Sequence, residues 1–219
     1  MTINRGPLVS GEIYHLFNRS INLEPIFEFK RHCQRALTSF DYYQYADPVE
    51  KLSYFLSRGE SKNKELMDKW KKDHKKHVEI IAYCLMPNHY HLLLKQISEN
   101  GIKDFLSVFQ NSYTRYYNTQ MERRGPIFQG YFKSVRIETD EQLMHLSRYI
   151  HLNPYSSFVV KTIEELEDYP WSSLSYYLTD DDSSFIANDI VLNMFNGRDD
   201  YKKFVFDQAD YQRELEKVK

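Results

Sequence analysis

The sequence is poor in cysteine and has no long apolar run near its start. Its 2 cysteines, Cys33 and Cys84, exclude a disulfide framework and a cysteine-rich zinc site. The opening residues, MTINRGPLVSGEIYHLF, hold no apolar stretch long enough for a signal peptide or a transmembrane helix. We therefore expect a cytoplasmic protein with no membrane partner.

The sequence also lacks a large excess of charge of either sign. It has 29 Lys and Arg against 31 Asp and Glu, for a net charge of −2, which at first argues against a nucleic-acid partner. The charges are unevenly placed, however, because residues 164–200 are strongly acidic and cations recur between Arg115 and Arg148. This distribution predicts a basic working face. No Walker-type or dinucleotide-binding glycine motif and no internal repeat occur.

Aromatic residues, by contrast, are abundant, with 18 Tyr and 14 Phe among 219 residues. Most of them are expected to fill the core, and some are available to stack on unpaired bases. The length suits one domain of ordinary size. We predict a main domain over residues 1–178 with a charged insertion at about 46–77, a loop with some helix, and a helical extension over residues 179–219.

The order of predicted elements is β, α, β, β, α, β and a further helix. The predictions are a strand over Gly11–Asn18, a helix opening near Pro25, strands Val78–Leu85 and His89–Lys95, a helix over Gly101–Met121, a strand over Ile127–Ile137, and a helix from Asp140 to about Asn153, capped by Thr139 and stopped by Pro154. This order indicates the α+β class and the ferredoxin-like split βαβ arrangement. One antiparallel sheet would carry helices on one face, with an extra catalytic helix and a C-terminal helical appendage.

Two histidines suggest a metal site. His89 and His91 are two residues apart on a predicted strand, so both side chains share one face and can reach one ion. Alone, this pattern is weak, because it arises readily by chance and also fits two histidines hydrogen-bonded on a sheet surface.

A tyrosine and an asparagine supply the rest of a possible site. Tyr149 and Asn153 are four residues apart and share a helix face. Asn153 can offer a third ligand oxygen, and a site of two imidazoles and one amide suits Mg²⁺ or Mn²⁺. Tyr149 can form a covalent intermediate with a phosphate. Tyr116 and Gln120 have the same spacing and are a rival pair.

Several polar residues are candidates for DNA contact. Their shared property is a cationic or amide side chain near the predicted site; they are Arg19, Arg115, Arg123, Arg124, Gln129, Lys133, Arg136 and Arg148. His145 and His151 are near Tyr149 in sequence and could move protons, but an ordinary surface or packing role is the better expectation for both.

The arrangement of several motifs resembles the HUH single-tyrosine transposases of simple bacterial insertion sequences, and within them the REP-associated tyrosine transposases. The segments that carry the resemblance are GEIYHLFNRSINLEPIF, IAYCLMPNHYHLLLK, FQNSYTRYYN, RGPIFQGYFKSVRI, LSRYIHLNPYSS and, more weakly, YPWSSLSYY. Tyr90, between the two histidines, departs from the hydrophobic residue that is usual there.

The resemblance implies a metal-dependent endonuclease and strand-transferase that acts on single-stranded or hairpin DNA. It implies that His89 and His91 bind the divalent metal, that Asn153 completes the metal site, and that Tyr149 is the nucleophile. Tyr149 would become joined to the 5′ phosphate and leave a free 3′ hydroxyl. Members act as homodimers or as monomers, so a homodimer is an open possibility.

Two other functions are consistent with the same residues. One is a non-catalytic protein that binds hairpin nucleic acid and derives from a transposase. The other is a metal-dependent hydrolase that uses water as the nucleophile and would keep its activity in Tyr149→Phe. The joint presence of His89, His91, Tyr149 and Asn153 favours the transposase.

Overall fold

A four-stranded antiparallel sheet is the centre of the computed structural model, which describes residues 7–48, 50–180 and 185–217. The strands are β1 (Ile13–Arg19), β2 (Val78–Met86), β3 (His89–Gln96) and β4 (Lys133–Ile137), in the spatial order β2-β3-β1-β4. With crossover helices between β1 and β2 and between β3 and β4, this is the ferredoxin-like split βαβ arrangement. The predicted α+β fold is confirmed.

Ten α-helices are found in the described part of the chain. They are α1 (Lys30–Tyr43), α2 (Leu52–Leu56), α3 (Glu60–Asp73), α4 (Gly101–Gln120), α5 (Asp140–Ser156), α6 (Ile163–Glu167), α7 (Leu174–Leu178), α8 (Asp189–Leu192), α9 (Arg198–Phe206) and α10 (Ala209–Lys217). None of these helices combines the length and the hydrophobicity that a membrane crossing requires.

The two faces of the sheet are covered by different helices. On one face, Tyr90 of β3 meets Phe109 of α4, and Phe40 of α1 meets both Tyr83 of β2 and Phe109. Neighbouring residues of a strand point to opposite faces, so His91 points away from α1 and α4. There its ring contacts Tyr149 of α5. The helix that carries Tyr149 therefore lies on the face opposite the crossover helices.

The β2–β3 hairpin holds the His-x-His motif in a fixed register. Pro87 and Asn88 form its two-residue turn, and His91 pairs with Cys84 across the ladder. On the other side of β3, His91 pairs with Phe17 of β1. The motif is thus on a central strand, hydrogen-bonded on both edges, which keeps its side chains in place.

The first predicted helix start was wrong. The helix begins at Lys30, not near Pro25. The backbone N–H of Phe27 donates to the carbonyl of Pro87 at 2.9 Å, and Ile26 is fully buried. These contacts tie the segment after Pro25 to the hairpin turn, so its backbone is unavailable for a helix.

The predicted strand over Ile127–Ile137 was too long. Only Lys133–Ile137 forms a strand. The carbonyl of Ile127 accepts from the N–H of Ile21, just after β1, and the N–H of Gln129 donates to the carbonyl of Arg19 at the end of β1. Gly130 has a φ of 39°, in the left-handed region that interrupts an extended strand.

Pro154 does not stop α5, which continues to Ser156. A proline in the last turn removes one backbone hydrogen bond, and the turn closes anyway because the N–H of Ser157 donates to the carbonyl of Asn153 at 2.9 Å. The cap at Thr139 is confirmed, since its side chain accepts from the N–H of Gln142.

The charged insertion is more helical than expected. It forms α2 and α3, and Trp70 of α3 is buried against Tyr42 and Tyr45 at the end of α1. The C-terminal segment packs against the rest of the chain, with α10 on α5 and α9 on α7. The boundary near residue 178 stays a proposal.

Candidate active site

The two histidines of β3 lie side by side. The ring centroids of His89 and His91 are 5.1 Å apart, and the rings are nearly perpendicular. His91 is buried, whereas His89 is partly exposed. The pair therefore has one ring in the protein interior and one at the edge of open space.

A third histidine, His15 of β1, joins the pair. Its Nε2 is 2.9 Å from Nδ1 of His91, and the two rings stack with centroids 5.1 Å apart. Sequence reasoning missed His15. The available signal was the alternation of β1, which places His15 and Phe17 on the same sheet face as the histidines of a neighbouring strand.

Burial keeps the three imidazoles neutral. Desolvation lowers the pKa of His15 to about 4. Desolvation, helped by the nearby charge of Arg19, lowers the pKa of His89 to about 4. For His91, desolvation and then the neighbouring His15, His89 and Arg19 lower the pKa well below its usual value. Neutral imidazoles are the form that binds metals.

Each histidine of the motif has one nitrogen held and one available. Nδ1 of His89 donates to Oδ1 of Asn88 at 2.7 Å, because an amide oxygen can only accept. Nδ1 of His91 is engaged by His15. Within the described part of the chain, no hydrogen bond engages Nε2 of either ring. A ring oriented through one nitrogen, with a lone pair on the other, is what a metal-binding histidine needs.

The donor set fits a divalent metal that keeps open coordination positions. Among the described residues there is no group of three or more His, Cys, Asp or Glu side chains able to hold a metal ion. A metal held by His89 and His91 therefore needs oxygen donors of other kinds, such as an amide, a phosphate or water. Mg²⁺ and Mn²⁺ accept such oxygens.

Tyr149 lies next to this donor set. Its ring is 5.7 Å from that of His91 and perpendicular to it, and 6.3 Å from that of His15. No hydrogen bond to its hydroxyl group is present among the described residues. The backbone of Tyr149 is well anchored, because its carbonyl accepts from Asn153 at 3.1 Å and from Gln212 at 3.3 Å.

Asn153 is buried one turn after Tyr149. Its Nδ2 donates to the carbonyl of Tyr149, so the hydrogen bond of this amide is made within α5. That bond directs Nδ2 toward the helix backbone and leaves Oδ1 as the acceptor. The ring contacts thus join His89, His91 and Tyr149, whereas the ligand role of Asn153 remains a proposal.

The rival pair lies elsewhere. Tyr116 is on α4, on the other face of the sheet, and its hydroxyl donates to the carbonyl of Arg31 at 3.3 Å. His151 is a core residue: its two nitrogens meet the hydroxyls of Tyr201 and Ser173 at 2.7 and 2.8 Å. His145 lines a groove beside Tyr149, and its Nδ1 is 2.8 Å from a guanidinium nitrogen of Arg148.

That groove, between β4 and α5, has a volume of about 570 Å³ and reaches from His15 to Tyr149. Its walls include Val135 and Ile137 of β4 and Leu146 of α5. An apolar groove open to solvent and ending at a tyrosine can accept a flat ring such as a base.

The eight candidate DNA-contact residues are distributed over several surfaces. Arg19 and Lys133 lie nearest the histidines, since Arg19 lowers their pKa and Lys133 lies over the ring of Phe17 at 5.7 Å. Arg115 lines a groove on the helical face, and Arg124 is exposed beyond the end of α4.

The other four are already engaged. Arg123 pairs with Glu24, and Arg136 with Glu12 at 3.0 Å. Arg148 lies over the ring of Phe204 at 4.4 Å, and Gln129 donates to the carbonyl of Ser20 at 3.0 Å. Their contact with DNA would require an exchange of partners.

A ferredoxin-like sheet with a His-x-His strand facing a helix-borne tyrosine is the arrangement that the resemblance to the HUH single-tyrosine transposases implies. The family model described as "Transposase IS200 like" matches residues 50–153. The matched segment is slightly less than half of the 219 residues, and over this segment the chain is similar to the transposase family.

A solved structure shares the fold. It is described as a REP-associated tyrosine transposase bound to a REP hairpin, with a TM-score of 0.51 and 17% sequence identity. The match covers 80% of this chain and 84% of that chain. At this identity the likeness shows the fold. No curated protein matches the chain in sequence.

Proposed function

We propose that the chain cleaves and rejoins single-stranded DNA at hairpin-forming sequences through a covalent 5′-phosphotyrosine at Tyr149. The observation that carries the proposal is the position of the Tyr149 ring, 5.7 Å from that of His91 and on the same face as His89. The fold shared with a transposase that is bound to a hairpin supports hairpin DNA as the substrate.

The reaction is a transesterification. The oxygen of Tyr149 forms a bond to the phosphorus of the scissile phosphodiester, and the bond to the 3′ oxygen breaks. The phenol loses its proton, and the departing oxygen gains one to become a 3′ hydroxyl. Attack by a 3′ hydroxyl of another strand on the phosphotyrosine reverses these changes and joins the new strand without an external energy source.

Several residues would serve this step. His89 and His91 would hold the divalent metal through their Nε2 atoms, with Asn153 as a further oxygen donor. When bound, the metal supplies charge neutralisation and orientation of the phosphate. Arg19 and Lys133 would contact neighbouring phosphates, and their positive charge would help to position the strand.

The test is covalent capture. The protein is incubated with labelled hairpin DNA taken from the flanks of its own gene, with Mn²⁺ or Mg²⁺, and separated on a denaturing gel. We expect a protein–DNA adduct that needs metal and is absent in Tyr149→Phe. The control is Tyr131→Phe, since Tyr131 is 80% exposed and lies on none of the site's elements.

Other results would assign other functions. An adduct lost in Tyr116→Phe and kept in Tyr149→Phe would move the nucleophile to the rival pair. Cleavage without an adduct, unchanged in Tyr149→Phe, would indicate a nuclease that uses water. Hairpin binding with neither cleavage nor adduct would indicate a binding protein.

A further inference from the structure

A second groove, on the helical face of the sheet, is lined by cations. It has a volume of about 560 Å³ and lies between α1, the start of α2 and α4. Its three charged lining residues are Arg35, Lys51 and Arg115. In the described part of the chain, none of the residues that line it is acidic.

Arg35 is the most enclosed of the three cations. Its Nε atom is buried and has no hydrogen-bond partner among the described residues. Its guanidinium lies over the ring of Tyr116 at 5.1 Å, which fixes its position. Desolvation by burial lowers the pKa of Arg35, although the side chain remains charged at any physiological pH.

No carboxylate compensates this charge. None of the ion pairs found among the described residues includes Arg35, Lys51 or Arg115. Glu50, the acidic neighbour of Lys51 in the sequence, is engaged by Arg58 at 2.6 Å. A partly desolvated cation among like charges is costly without a counter-ion. The groove is therefore built for an anion that comes from outside the chain.

We propose that this groove binds the phosphodiester backbone of a DNA strand, outside the segment that is cleaved. Arginine and lysine are the side chains that most often contact phosphate. The neighbouring Asn111, Ser112, Thr119 and Gln120 can supply further polar contacts. Tyr54 of α2, 62% exposed at the same groove, offers a ring on which a base can stack.

The charged insertion contributes to this groove and would therefore take part in DNA binding. Lys51 and Tyr54 come from the segment at about 46–77, and they complete a groove whose other walls are the crossover helices. Tyr149 is on the opposite face of the sheet, so a strand held here must lie at a distance from the scissile phosphate. The groove would extend the footprint of the protein on its DNA. That the groove binds a polyanion follows from its own charges; that the polyanion is DNA rests on the proposed function.

The experiment measures binding without cleavage. Tyr149→Phe protein is titrated into a fluorescent oligothymidylate of about 30 nucleotides, longer than one groove requires, over a series of salt concentrations. The test variant adds Lys51→Gln and Arg115→Gln. The matched control adds Lys30→Gln and Lys103→Gln, which remove two exposed cations from α1 and α4 outside the groove.

The expected result is a loss confined to the test variant. Each lost phosphate contact should lower the slope of log affinity against log salt by about 0.7, so the double variant should lose about 1.4. The affinity near 0.1 M salt should fall roughly ten-fold or more. The control should keep the slope of the parent protein.

Three results would overturn the proposal. An unchanged slope in the test variant would show that the groove does not meet the strand. An equal loss in test and control would indicate diffuse surface charge. Displacement of the oligonucleotide by millimolar inorganic phosphate, compared with chloride at equal ionic strength, would assign a small-anion site. Because Tyr149 is replaced throughout, failure of the adduct assay leaves this result unaffected.

Discussion

At the scale of single residues, His15 is the most informative feature of the candidate site. Its hydrogen bond to Nδ1 of His91 occupies the nitrogen that a metal would not use and directs Nε2 of His91 outward. A residue that orients a ligand in this way usually changes metal affinity by ten- to a hundred-fold when it is lost. We therefore propose that His15 is a positioning residue.

We expect His15→Ala to weaken Mn²⁺ binding by about ten- to a hundred-fold, as measured by isothermal titration calorimetry. His15→Gln retains a side-chain donor and acceptor and should restore part of the affinity. If both variants bind Mn²⁺ like the parent protein, His15 has only a packing role. A thermal melt of each variant separates a loss of affinity from a loss of folding.

A second residue-scale prediction concerns His151, which burial in a hydrogen-bonded core holds neutral. Its pKa is lowered to about 3 by desolvation. In the unfolded chain the pKa is about 6.5, so below that pH the unfolded state binds more protons and the folded state loses stability. The stability that the protein owes to neutral His151 is fully present well above pH 6.5 and is lost as the pH falls toward 3.

Between pH 7 and pH 5, His151 should account for about 2 kcal/mol of the lost free energy of unfolding. Urea denaturation at both pH values measures it. In His151→Gln the protein should be less stable at pH 7, and its loss between pH 7 and pH 5 should be smaller by about that amount. An equal pH dependence in both proteins would show that His151 does not contribute to the loss of stability.

At the scale of elements, the strength of local signals decided which predictions were correct. The hairpin of β2 and β3 was predicted within one residue at each boundary, because β-branched and apolar runs flank Pro87 and Asn88. The helix start near Pro25 failed, since the backbone bond from Phe27 to Pro87 connects residues far apart in sequence. Tertiary contacts of this kind leave no periodic trace in the chain.

The same reasoning applies to the site. The paired spacings predicted which face His89 and His91 share and which face Tyr149 and Asn153 share. They did not predict that α5 crosses the sheet on the face of the histidines, because the packing of a helix depends on the whole fold. His15 was missed because its partner is on another strand.

The third prediction concerns α10, which braces the helix of Tyr149. Nε2 of Gln212 donates to the carbonyl of Tyr149 and to Oγ of Ser156, and Arg213 lies over the ring of Tyr155 at 4.1 Å. Tyr149 lies seven residues before the end of α5, so the bond from Gln212 reaches the helix backbone at the residue that carries the phenol ring. Gln212 therefore fixes the backbone that carries the proposed nucleophile.

We expect Gln212→Ala to slow adduct formation several-fold at saturating DNA while leaving the affinity for hairpin DNA close to that of the parent protein. Two lost hydrogen bonds also cost about 1–3 kcal/mol of stability. Glu214→Ala is the matched control, since Glu214 is exposed on the same helix and pairs only with Lys217 among the described residues. An unchanged rate in Gln212→Ala would reduce α10 to a purely stabilising element.

At the scale of the whole molecule, the sheet separates two working faces. One carries the histidines, Tyr149 and the apolar groove beside it; the other carries the cationic groove of α1, α2 and α4. The net charge of the chain is only −2, but three cationic side chains are grouped in the second groove, where they could contact a polyanion. A DNA strand that reaches both faces must pass around an edge of the sheet.

The packing of the whole molecule also determines whether one chain supplies all the residues of the candidate active site. His89, His91 and Tyr149 meet within a single chain, and α10 of that chain holds α5 in place. A site of this kind needs no residue from a second copy. We therefore predict that each chain forms its phosphotyrosine alone, whether or not two copies associate on DNA.

Complementation between two inactive variants tests this prediction. Tyr149→Phe keeps the histidines, and His91→Ala keeps the tyrosine, so a site shared between copies would regain one intact set when the two proteins are mixed. If each site is formed within one chain, no site in the mixture has both His91 and Tyr149, and the mixture should form no adduct at any protein concentration. A short tag on one variant shows which chain carries any DNA. If adduct appears on the His91→Ala chain only after mixing, α5 must exchange between copies, and the contact of Tyr149 with His91 in one chain would represent only one of two arrangements.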